Sequence, residues 1–90
     1  MYLHLGQDTV IKLEDIVGIF DMETSTISKF TRSYLADAQK KNRVVNVSME
    51  MPKSFVLCCG KNKEITVYVT QISSATLLKR TGFMEGISNV

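Results

Sequence analysis

Residues 55–70, FVLCCGKNKEITVYVT, decide the fold. Two apolar runs flank Gly60-Lys61-Asn62-Lys63, whose glycine and asparagine suit a tight turn, so the stretch reads as a β-hairpin. In the second arm Ile65, Val67 and Val69 alternate with Thr66, Tyr68 and Thr70, the period of a strand with two unlike faces. The first arm, Phe55 to Cys59, is apolar on both faces and therefore belongs in a sheet covered above and below. Lys61 and Lys63 at the tip read as solubility and edge-blunting residues and are left out of any site.

Upstream, Val44 to Val47 reads as a strand, and Pro52 ends or edges what precedes it because proline cannot donate to a ladder. Before that, Ile27, Phe30, Tyr34, Leu35 and Ala38 draw one apolar stripe, predicting an amphipathic helix capped by Thr24, Ser25 and Thr26. Three short strands are expected at the front: Tyr2 to Leu5, Thr9 to Lys12 and Ile16 to Phe20, with a turn at Gly6-Gln7-Asp8. Downstream, Ser73-Ser74 caps a second, shorter helix from Ala75 to Arg80, and Gly82 stops it. The expected fold class is α+β: a single small domain with an antiparallel-rich sheet and one long and one short helix, in the order β-β-β-α-β-β-β-α. Residues 1–81 form the domain and residues 82–90 a C-terminal tail.

Ile16 to Phe20 repeats the two-faced apolar pattern of Phe55 to Cys59. One long and one short helix in 90 residues are expected to cover one face of the sheet. The other face then calls for a second subunit, a homo-oligomer, or for closure into a small barrel within a monomer. A chain this short leaves much of its surface unburied, which also favours association.

No stretch approaches the roughly 20 continuous apolar residues of a membrane helix, and the N-terminus lacks the pattern of a signal peptide, so a soluble cytoplasmic protein is expected. Cys58 and Cys59 are neighbours, too close for ordinary disulfide geometry. With a single histidine and no spaced cysteines, four-ligand zinc chemistry is not available from one chain. His4 has no nucleophile at a recognisable elbow, the pairs Glu14-Asp15 and Asp21-Glu23 match no calcium loop, and the five glycines build no phosphate loop. These patterns point away from an enzyme, from a resident metal or cofactor and from a small-molecule substrate.

Charge is unevenly spread. Residues 1–28 carry one base, Lys12, against five acids, whereas residues 29–63 carry eight bases against Asp37 and Glu50. A basic middle behind an acidic front can steer an anionic partner to one side or bind head to tail. The run Lys40-Lys41-Asn42-Arg43 closes the long helix with charge that suits its dipole. The same run fits a solvated helix end and a binding patch equally well.

Four segments carry a family resemblance: YLHLG at 2–6, DIVGIFD at 15–21, Pro52-Lys53-Ser54 before an apolar run, and SSATLLKRTGFM at 73–84. Together they resemble the RemA/RemB family of small bacterial regulators of the extracellular matrix, and the resemblance covers most of the chain. It implies a regulator of biofilm gene expression that binds double-stranded DNA as a curved or ring-like oligomer, many weak sites acting on one duplex. In the DNA-binding branch the resemblance implies arginines before the third strand and in the loop before the hairpin. This chain has Glu14 and Asp15 at the first place and, within Met49-Glu50-Met51-Pro52-Lys53, only Lys53 with positive charge at the second. The expected DNA-binding residues are accordingly Lys53, Arg43, Lys40, Lys41, Lys29 and Arg32. The alternative is an oligomeric scaffold or partner-binding protein that modulates a regulator without contacting DNA.

Overall fold

The computed structural model describes residues 1–22 and 29–82. Its elements are β1 (Tyr2–Gly6), β2 (Thr9–Lys12), a 3-10 turn at Leu13–Asp15, β3 (Ile16–Asp21), α1 (Lys29–Lys40), β4 (Val44–Asn46), β5 (Ser54–Cys59), β6 (Ile65–Thr70) and α2 (Ser74–Thr81). The order is the one expected, and the class is α+β. The expected cap at Thr24, Ser25 and Thr26, the stripe residue Ile27, and Phe83, Met84 and Ile87 of the tail lie outside the described residues.

Strands β1 and β2 form a hairpin of their own, and the other four make one sheet in the order β3-β5-β6-β4. β5 is antiparallel to both its neighbours, while β4 runs parallel to β6. β3 and β4 therefore run the same way at opposite edges, and the chain must return between them by a crossover. α1 is that crossover, packed on β6.

Alternation along β5 divides the core in two. Val56 and Cys58 point to one side, where they meet Leu3, Leu5 and Ile11 of the hairpin and Leu77 of α2. Phe55 and Leu57 point to the other, where they meet Val67 and Ala38, with Phe20, Leu35 and Val44 packed alongside. The second face of the sheet is thus covered by the chain's own hairpin and α2. Helices alone would leave that face open; the β1–β2 hairpin, separate from the main sheet, closes it. Leu3, Leu5 and Leu77 are essentially inaccessible to water. Each such burial contributes roughly 1.5–3 kcal/mol. Tyr34, expected on the apolar stripe of α1, lies at its flank and is half-exposed.

Local chemistry explains the connections. Gly6 (φ 109°) and Gln7 (φ 50°) take the left-handed conformations at the β1–β2 turn. At the β5–β6 turn it is Lys63 (φ 63°) that does so, rather than glycine or asparagine. Ser73 caps α2 by accepting the Thr76 amide, and Gly82 (φ 75°) ends it. In β3 the register slips between Ile16 and Gly18, so Val17 is a bulge residue. The Phe20 ring stacks on Phe55 with centroids 5.0 Å apart and lies over Gly18, where an added Cβ would stand 2.7 Å from it.

One buried hydroxyl ties the hairpin to the sheet. Thr70 Oγ1 donates to the Leu5 carbonyl at 2.7 Å and accepts the Ile72 amide at 3.2 Å. Thr70→Val keeps the shape but leaves the buried carbonyl without its donor. It is expected to lower stability by about 1–3 kcal/mol in urea unfolding without changing the far-UV spectrum.

Candidate nucleic-acid interface

α1 is positioned by its inner face, where Leu35 and Ala38 meet β5 and β6. At 3.6 residues per turn the opposite face carries Lys29, Arg32, Ser33, Ala36 and Lys40. All five are exposed. Lys29 and Lys40 stand three turns apart, about 16 Å, with only the small Ser33 and Ala36 between the cations on that line. A shallow depression over the second half of the helix is lined by Ser33, Ala36, Asp37, Gln39 and Lys40.

The other expected residues do not join this stripe. Lys41 Nζ lies 3.4 Å from Asp37 Oδ2 in an exposed i,i+4 pair, an arrangement that adds little stability and leaves the lysine available. Arg43 is engaged within the fold: Nε donates to the Ile65 carbonyl at 3.2 Å, Nη2 to Thr66 Oγ1 at 2.8 Å, and Nη1 sits 2.6 Å from Glu64 Oε2. Its backbone amide donates to the Ala38 carbonyl and its carbonyl accepts the Val67 amide. Arg43 therefore fastens the end of α1 to β4 and β6.

Lys53 is exposed and stands at the other end of the sheet, its amide on the Thr70 carbonyl and its carbonyl on the Met22 amide. Measured along β6, that is roughly 15 Å from the Arg43 contacts. The six residues thus fall into three places: the α1 stripe (Lys29, Arg32, Lys40), the α1–β4 junction (Lys41, Arg43) and the Lys53 corner. Lys61 and Lys63, expected to blunt the hairpin tip, lie at the same sheet end as Arg43, which is held by Glu64 beside them. The parallel β4–β6 pairing that brings them there leaves no mark in local sequence.

Acids share that end. Glu14 and Asp15 form the turn leading into β3, with Glu14 exposed and Asp15 partly buried. Burial pushes the Cys58 thiol up to about 12, and the nearby Asp15 carboxylate adds to this. Tyr68 is raised for the same reasons, burial first and then Cys58 and Asp15, with Arg43 acting the opposite way. Cys58 and Cys59 are free thiols. His4 Nε2 donates to the Gln7 carbonyl of its own turn at 2.9 Å. Among the described residues no three His, Cys, Asp or Glu side chains come close enough to hold a metal ion, and no helix is long and apolar enough to cross a membrane.

No family model matches the chain. It is 38% identical over 89 residues, spanning 99% of its own length and 100% of the relative, to extracellular matrix regulatory protein B of Bacillus subtilis (strain 168).

Two measurements separate structural from surface roles here. Arg43→Ala is expected to cost about 1–3 kcal/mol in chemical unfolding because charge-assisted bonds at a part-buried edge are lost, whereas Lys41→Ala stays within about 0.5 kcal/mol of wild type. Cys58 and Tyr68 both hold their protons more tightly folded than unfolded. Their contribution is therefore constant below pH 9 and falls as pH rises above it. Unfolding between pH 7 and pH 10.5 is expected to show that decline, less steep in Cys58→Val.

Proposed function

The chain belongs to the family of extracellular matrix regulatory protein B, and on that premise we propose that it is a non-catalytic regulator of extracellular-matrix (biofilm) gene expression, binding duplex DNA as a cytoplasmic homo-oligomer. The observation that carries this reading is the outer face of α1. Lys29, Arg32 and Lys40 are exposed there over about three turns, and the one acid of the helix, Asp37, stands at the flank of that line, paired with Lys41. Small residues at Ser33 and Ala36 let a phosphate backbone approach the helix closely. Three cations from one copy give weak, salt-sensitive binding, so affinity has to come from several copies on one duplex. Lys53 is a second contact point, at the end of the sheet towards which α1 begins. Arg43 is withdrawn from the contact set by its bonds to Glu64, Ile65 and Thr66.

A scaffold that modulates another regulator without touching DNA is the second reading. The acids Glu14 and Asp15 favour it, since they oppose phosphate at the same end of the sheet as the basic run that closes α1.

Fluorescence anisotropy with labelled duplex DNA across a salt series decides between them. Binding at ~50 mM salt that weakens steeply with added salt is expected, with log K falling by about 0.9 per neutralised phosphate for each tenfold rise in salt. The Lys29→Glu, Arg32→Glu, Lys40→Glu triple variant is expected to lose at least about tenfold in affinity at unchanged fold. No binding by the wild type at low salt removes the DNA reading and leaves the scaffold. Unchanged binding by the triple variant removes the α1 face as the contact.

A further inference from the structure

The most open apolar side chains among the described residues are methionines. Met49 (102%) and Met51 (84%) stand in water on the segment between β4 and β5, and Met22 (43%) is half-exposed nearby. The segment is held in place: Ser48 Oγ donates to Gln71 Oε1 at 3.0 Å and accepts the Glu50 amide at 3.1 Å. Pro52 restricts Met51 to an extended conformation, and Lys53 is extended between its bonds to Thr70 and Met22. Residues two apart in an extended chain share a side and lie roughly 7 Å apart, so the Met51 thioether is a neighbour of the Lys53 ammonium. Met22, whose amide donates to the Lys53 carbonyl at 2.9 Å, lies across from it.

The two thiols are placed the other way. Cys58 is buried, and with its thiol pushed up to about 12 it stays protonated at neutral pH. Cys59 is partly buried, its Sγ donating to the Gly60 carbonyl at 3.8 Å. Sulfur reactivity follows access and, for cysteine, thiolate character, so with an oxidant that attacks both sulfur types readily the open thioethers react first. Methionine sulfoxide disrupts a protein when the polar oxygen enters an apolar core. Met49 and Met51 have no core around them to disrupt.

We propose that Met49 and Met51 are a reversible oxidation site, a thioether pair that hypochlorous acid converts to sulfoxides, and that the sulfoxides draw Lys53 away from an anionic ligand. The sulfur lone pair takes chlorine from the acid, water supplies the oxygen as chloride leaves, and one proton is released overall; sulfur loses two electrons and chlorine gains them. In the reverse step two thiols of a sulfoxide reductase become a disulfide and the oxygen leaves as water. A sulfoxide oxygen accepts the Lys53 N–H that a DNA phosphate would otherwise take. That effect rests on the reading of Lys53 as a DNA contact point, whereas the oxidation site itself does not.

Stepwise addition of hypochlorous acid to the full chain at neutral pH tests both halves, read by peptide mass mapping, circular dichroism and anisotropy with duplex DNA at ~50 mM salt. Met49 and Met51 are expected to gain oxygen before Met22, Cys58 and Cys59, with the far-UV spectrum unchanged, and the oxidised chain to bind DNA about threefold more weakly. A methionine sulfoxide reductase with dithiothreitol is expected to restore mass and affinity together. Met1 (88%) is as open as the pair, but its carbonyl accepts the Leu13 amide ahead of β3, at the sheet end opposite Lys53, so its oxidation is an internal control. The Met49→Leu, Met51→Leu double variant keeps volume and apolar character and is expected to bind DNA as the wild type does, before and after the oxidant.

Oxygen that lands first on Cys58, Cys59 or Met22, or a spectrum that collapses as the pair is oxidised, overturns the site. Sulfoxides that the reductase leaves in place overturn its reversibility. An oxidised pair with unchanged DNA affinity, or an equal loss of affinity in the double variant, overturns the effect on Lys53. A wild type that binds no duplex at low salt removes the DNA reading and that effect with it, while the mass map still decides the site.

Discussion

Strand β5 needs cover on both sides, and the rest of the chain is arranged to supply it. A strand reading Phe-Val-Leu-Cys-Cys cannot face water on either side at this size without losing the few kcal/mol by which small domains are stable. α1 provides one cover through Leu35 and Ala38. The β1–β2 hairpin and α2 provide the other through Leu3, Leu5, Ile11 and Leu77. The helix between β3 and β4 lies on one face and gives those two strands the same direction, and the β5–β6 hairpin inserted between them puts them at opposite edges. The shape of the whole sheet follows from that arrangement.

The same arrangement distributes charge. The cations of α1 lie outward because the inner side of the helix is occupied by the core. Arg43 lies at the turn from α1 into β4, where its guanidinium satisfies the Ile65 carbonyl and the Thr66 hydroxyl and meets Glu64. The acids before β3 end up at the same end because β3 and β4 start there. Glu14 and Asp15 of the acidic front and Lys41 and Arg43 of the basic middle, well separated along the chain, thus share one end of the sheet, at its two opposite edges.

Much of this was legible in the sequence because it is written in local periodicity. The alternation of Ile65, Val67 and Val69 and the turn residues of 60–63 identify the hairpin. Ser73 and Gly82 mark the ends of α2, and Leu35 and Ala38 mark the inner side of α1. What periodicity cannot carry is pairing between distant segments. The parallel β4–β6 ladder, the separation of β1–β2 from the main sheet and its use as a cover depend on residues more than twenty positions apart. Arg43 shows the same limit: in sequence it closes a basic run, and only the fold brings it to Glu64 and Thr66. Lys53, Lys29, Arg32, Lys40 and Lys41 are visible as charges in any reading, but which of them share a surface is set by topology.

The hydrogen bond from Thr70 to the Leu5 carbonyl spans 65 positions and has a consequence for the order of events during synthesis. β1 and β2 leave the ribosome first, yet a lone two-stranded hairpin is marginal in water. Its inward leucines wait for Val56 and Cys58, its carbonyl for Thr70, and its last cover for Leu77. The first of these elements to be made is therefore among the last to be placed, and α2 must be outside the ribosome before the domain closes. Non-local closure of this kind slows folding and leaves apolar strands exposed meanwhile, which makes the nascent chain, rather than the finished domain, the species most prone to aggregate.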